Sequence, residues 1–113
     1  MFHELYIHCT RNVFLQFIND ITNHMPENWT YRTESFLGHE FFFFVYDGND
    51  FPKVEVSITR NNGENCYYVP NIVPTEVTEI NQETYNTILD HFKEIVIDPH
   101  QDLFEAVEIV AEG

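Results

Sequence analysis

Glu40-Phe41-Phe42-Phe43-Phe44-Val45-Tyr46-Asp47 sets an unbroken apolar run between two acids. The run has the length of a strand and is too short for a helix. Its aromatic and β-branched side chains suit a pleated surface. Successive strand residues point to opposite faces, so both faces of this strand are apolar. Such a strand belongs inside a sheet, with a cover on each side.

After the run, Asp47-Gly48-Asn49-Asp50 reads as a turn. Residues 53–60 then alternate, with Val54, Val56 and Ile58 inward and Lys53, Glu55, Ser57 and Thr59 outward. Asn62-Gly63 is a strong hairpin signal, and residues 66–69 form the returning strand, stopped by Pro70. With Asn62 and Gly63 at the centre of a two-residue turn, Ile58 faces Tyr67, Val56 faces Val69, and Tyr68 lies outward opposite Ser57. For the preceding hairpin, pairing Val45 with Val54 turns Phe41, Phe43 and Val45 inward. It leaves Phe42, Phe44 and Tyr46 outward, around Glu55. A slip of one residue exchanges the two sets, and in either case large aromatics lie on the outer face.

Before the run, residues 2–8 read as a strand and Thr10 as a helix N-cap. Val13, Phe14, Phe17, Ile18 and Ile21 recur at helical spacing, predicting a helix over about residues 11–24 that Met25-Pro26 ends. Residues 27–38 are mostly polar, with a short strand expected around 29–34. Residues 71–74 form an apolar connector. Asn81 caps a second helix, with Ile80 and Tyr85 placed as a hydrophobic staple and a stripe of Tyr85, Ile88, Leu89, Phe92, Ile95 and Val96. Asp98-Pro99 ends that helix. For residues 103–110 the pattern leaves strand and short helix open. The whole chain, 1–113, is thus expected to be a single α+β domain. Its architecture is a two-layer sandwich, an antiparallel sheet of about four strands with two helices packed on one face.

Charge is the compositional anomaly: 19 Asp and Glu against 5 Lys and Arg, a formal net of −14. Ten of those acids fall between Glu76 and Gly113, beside a single base, Lys93. Such a field repels phosphates, which excludes direct nucleic-acid binding, and favours a basic partner where it is more than a solvated surface. Cys9 and Cys66 make no disulfide framework. With no signal pattern and no apolar run of bilayer-spanning length, a cytoplasmic protein away from membranes is expected, and the sequon Asn28-Trp29-Thr30 carries no weight.

Catalytic and metal chemistry find little footing. His8 and Cys9 are strand neighbours on opposite faces, His24, His39, His91 and His100 are scattered, and no zinc-ligand spacing occurs, so no metal or other cofactor is expected. A calcium loop starting at Asp47 would put Phe51 and Ile58 where oxygen ligands are required. Neither cysteine sits in a nucleophile-elbow or glycine-rich sequence, and no catalytic residue is assigned. The outward aromatics are more telling, because large apolar patches mark interfaces. Phe42, Phe44, Tyr46, Glu55 and Tyr68 are therefore the expected binding residues. The expected function is a non-enzymatic acidic protein-binding module that holds a basic partner through carboxylates and an aromatic sheet face, in the manner of an inhibitor, antitoxin or immunity protein. Two alternatives remain: a homodimeric structural module joined to a second copy of itself, and a small enzyme or ligand-binding domain with Glu55 in an aromatic pocket.

Overall fold

Thr10 opens the first helix by accepting, through its side chain, a hydrogen bond from the Val13 N–H at 3.3 Å. Asn81 does the same for the second with the Thr84 N–H at 2.8 Å. These caps satisfy donors that every helix N-terminus leaves without an intrahelical partner. Asn81→Ala is expected to cost about 1 kcal/mol and Asn81→Asp close to nothing, a difference readable by thermal melting. The computed structural model describes residues 2–111. In chain order its elements are β1 (His3–His8), α1 (Arg11–Asn23), β2 (Trp29–Phe36), β3 (His39–Tyr46), β4 (Val54–Arg60), β5 (Cys66–Pro74), α2 (Gln82–Phe92) and β6 (Ala106–Ala111).

The fold is α+β with an antiparallel sheet and two helices, but the sheet has six strands instead of about four, in the order β2-β3-β4-β5-β1-β6. The expected strand near residue 29 is present and runs on to Phe36. It meets β3 through the two-residue turn Leu37-Gly38, both at positive φ (50° and 80°), the geometry that matches strand twist. The tail resolves as a strand, β6 pairing with β1 from His3↔Ala111 to His8↔Ala106.

Beneath the helices lies one core. Leu5, Ile7, Phe42, Phe44, Tyr46, Val54, Val56, Ile58, Tyr67 and Ile72 come from the sheet, and Phe14, Phe17, Ile21, Ile88, Leu89 and Phe92 from the helices. The β3–β4 register is Tyr46↔Val54, Phe44↔Val56, Phe42↔Ile58. That is one residue away from the expected Val45↔Val54 pairing, so the faces exchange. Phe42, Phe44 and Tyr46 point into the core, and Phe41, Phe43 and Val45 lie half-buried on the outer face. The loop explains why. Residues 47–53 do not form a tight turn. Phe51 folds back onto Tyr46, with ring centroids 4.0 Å apart, and the Tyr46 hydroxyl accepts a hydrogen bond from the Asp50 N–H at 3.1 Å. The loop thereby holds Tyr46 inward.

The β4–β5 register also differs from the expected one, without exchanging faces. Its turn is longer than two residues, with the Glu64 N–H bonded to the Asn61 carbonyl at 2.8 Å and Gly63 at φ +73°. Thr59 therefore pairs with Tyr68, a shift of two places that leaves Tyr67 and Val69 inward. Pro70 does not stop β5. The ladder shifts register between Ser57 and Thr59, with an extra β5 residue near Pro70, before resuming at Ser57↔Asn71. A bulge is where a strand accommodates a residue lacking an N–H.

Pro99 likewise redirects the second helical path and does not end it. After Phe92 the path widens into a π turn over Lys93–Ile97 and then tightens into a 3-10 helix over Asp98–Leu103. The Asp98 N–H bonds to the Lys93 carbonyl, while Lys93 Nζ donates to the Asp98 carboxylate at 2.9 and 3.0 Å. The wider turn rotates the stripe. Ile97 is buried in the place expected for Ile95, which is 40% exposed.

Candidate functional site

Because the helices cover only one side, the outer face of the sheet has no cover among the described residues. Its cross-strand partners form a row that spans all six strands. The row reads Glu34 (β2), Phe41 (β3), Thr59 (β4), Tyr68 (β5), Tyr6 (β1) and Glu108 (β6), each paired with the next. At the usual strand spacing it is about 24 Å long. Its middle is aromatic and its two ends are carboxylates. Tyr6 and Tyr68 stack at 6.3 Å and Phe41 and Phe43 at 6.2 Å.

Polar side chains fix the edges of this surface. The Arg32 guanidinium lies 4.1 Å from the centre of the Phe43 ring. Its Nη1 donates to Glu34 at 2.7 Å and its Nη2 to Glu55 at 2.8 Å. At the other end His8 Nε2 meets Glu108 at 2.9 Å, and the Tyr6 hydroxyl donates to Glu4 at 2.7 Å. The Thr59 hydroxyl donates to the Glu40 carbonyl at 2.9 Å, which lets a threonine sit almost fully buried in the row.

Of the residues singled out from the sequence, Glu55 and Tyr68 stand on this outer face and Phe42, Phe44 and Tyr46 do not. Glu55 lies opposite Val45 and Val73 and is held by Arg32; its neighbours are not Phe44 and Tyr46. Phe41, Phe43 and Tyr6 take the places expected of the buried three. The alternation of β1 was the available signal for Tyr6: with Leu5 and Ile7 inward, Tyr6 had to face out.

A cavity of about 690 Å³ adjoins the row at Tyr68. Below Pro70, β5 and β1 part, and their pairing ends at Tyr6↔Tyr68. The fork is walled by Phe2, Val69, Ile72, Ile80 and Tyr85 and carries His3, Glu4, Asn71 and Glu79. The His3 N–H would face β5 if the ladder continued; it donates to Asn86 Oδ1 at 2.8 Å. Cys9 and Cys66 are buried free thiols. Burial above all, then Cys66 and Glu105, pushes the Cys9 thiol up to about 11, so it is protonated at neutral pH and a poor nucleophile. Among the described residues, no group of three or more His, Cys, Asp or Glu is disposed to hold a metal ion. Nor is any described helix long and apolar enough to cross a membrane.

No protein-family model matches the chain, and no curated protein or solved structure matches it either.

Proposed function

We propose that the chain is a non-enzymatic binding module that holds a basic protein against the outer face of its sheet. The row from Glu34 to Glu108 carries this reading, because it sets Phe41, Tyr68 and Tyr6, with Thr59 among them, between a carboxylate at each end. Aromatics at the centre of a contact supply much of its energy, and peripheral carboxylates steer a cationic partner to it. The net charge of −14 extends that steering over the whole molecule. An inhibitor or antitoxin-like role, with carboxylates standing where a nucleic acid's phosphates would bind, fits the same chemistry.

The expected result is capture of a basic protein with an association rate that falls at least tenfold between about 50 and 500 mM salt, as screening shortens the Debye length. Phe41→Ala and Tyr68→Ala are expected to speed dissociation of that complex while leaving the circular dichroism spectrum unchanged. An affinity indifferent to salt and to both substitutions would remove this reading. The fork between β1 and β5 favours the ligand-binding alternative, since its volume lies in the range of small-molecule sites. It brings together one histidine and two carboxylates, and Glu55 is not among its walls.

A further inference from the structure

We infer that β2 is a self-complementary edge through which two copies of the chain join into one twelve-stranded sheet. β2 is the outermost strand on its side, eight residues long, with no proline, no lysine and no register shift against β3. Those are among the devices by which sheet edges are normally blunted; the two charges that β2 does carry, Arg32 and Glu34, are of opposite sign. The Asp47 N–H bonds to the Asn28 carbonyl at 2.8 Å. By alternation, Thr30, Arg32 and Glu34 direct their backbone groups to β3. Tyr31, Thr33 and Ser35 direct theirs away from the sheet.

Charge selects the register. If two β2 strands run antiparallel about Thr33, Tyr31 faces the copy's Ser35 and about six backbone hydrogen bonds form. Arg32 then faces the copy's Glu34, twice over. Within the strand Arg32 already bonds Glu34, so the four side chains close a square of alternating charge on the outer face. Sliding by one rung in either sense sets Arg32 against Arg32 or Glu34 against Glu34, which is unfavourable.

A second observation agrees. Phe36 and Leu37, at the end of β2, are 65% and 82% exposed, and Leu37 stands at φ +50°, where glycine or asparagine is at home. In the self-paired register Phe36 faces the copy's Thr30 and Leu37 the copy's Trp29. The pairing keeps both helical layers on one side and leaves the outer faces of the two copies open, edge to edge. It does not depend on the binding role proposed above.

Sedimentation equilibrium of the full chain, with amide hydrogen exchange on the same samples, tests it. A dimer is expected at micromolar concentrations, with the Tyr31, Thr33 and Ser35 amides gaining protection as concentration rises. Thr33→Pro, which removes a central donor, is expected to give a folded monomer. Arg32→Glu and Glu34→Arg are each expected to weaken the dimer about tenfold or more, and the double exchange, made in a Glu55→Gln background that removes the other carboxylate bonded by Arg32, to restore it, since the square re-forms with its signs reversed. The idea fails if the chain is monomeric at all concentrations with those amides unprotected. It also fails if Thr33→Pro leaves the mass unchanged, or if the double exchange does not recover what the single ones lose.

Discussion

Phe44→Ala is expected to lower stability by about 3–5 kcal/mol, whereas Phe43→Ala, one residue earlier in the same run, is expected to cost about 1 kcal/mol. Phe44 has no exposed surface, and its ring packs against those of Tyr31, Phe92 and Phe17 at 5.1, 5.4 and 6.4 Å. It touches both layers, and removing it opens a cavity that rigid neighbours cannot fill. Phe43 loses its stack with Phe41 and its contact with Arg32, both at a surface that water already reaches. In thermal melts the gap between the two variants is expected to be on the order of 15 °C. Equal losses would show that the strand's two faces had been assigned wrongly. For the same reason Phe44→Glu is expected to unfold the chain.

Gly48→Ala is the second large effect, about 2–4 kcal/mol of lost stability. Its φ is not positive, so the cost lies in space and not in backbone preference. A Cβ there would overlap the Tyr46 hydroxyl and stand 2.7 Å from Tyr46 Cζ. Tyr46 has no room to yield, being 1% exposed and flanked by Trp29, Phe51 and His91 at 5.3, 4.0 and 5.9 Å. Overpacking of this kind costs about 1–3 kcal/mol, and displacing the hydroxyl also breaks its bond from the Asp50 N–H, worth about 1 kcal/mol more. Urea denaturation measures the sum. In a Tyr46→Phe background the same glycine substitution is expected to cost less, because the nearest atom is gone. A neutral Gly48→Ala would mean that the loop over residues 47–53 does not clamp Tyr46.

These two positions also show where the sequence stopped being legible. The interior place of the phenylalanine run followed from its two apolar faces. The choice of face did not, because four identical side chains in a row look the same from either side. That choice rests on Phe51 and Gly48, which composition marks only as part of a turn. Where the error was two residues, as after Asn62-Gly63, strand periodicity forgave it, so Tyr68 was placed correctly from a wrong pairing. Where it was one, as at Val45, three site residues moved into the core. β2 was hard to see because an edge strand with one open face needs few apolar residues. The π turn was invisible because it depends on a lysine and an aspartate five apart acting together with Pro99. The outer face was therefore readable as a kind of surface, while three of the five residues expected on it, Phe42, Phe44 and Tyr46, lie in the core.

The short seam between β1 and β5 has a thermodynamic consequence. Among the described residues three rungs tie the strands together, Tyr6↔Tyr68, Ile7↔Tyr67 and His8↔Cys66, with the Cys9 N–H bonded to the Asn65 carbonyl at 3.1 Å beyond the last of them. Past them, β1 is anchored on that side by Asn86 of α2 and by Leu5, which is fully enclosed in the core. The continuity of the sheet thus borrows from the helical layer, and loosening α2 would detach β1 and β6 from the other four strands. Sheet and helices are therefore expected to melt in a single transition, seen as coincident curves from far-ultraviolet circular dichroism and tryptophan fluorescence.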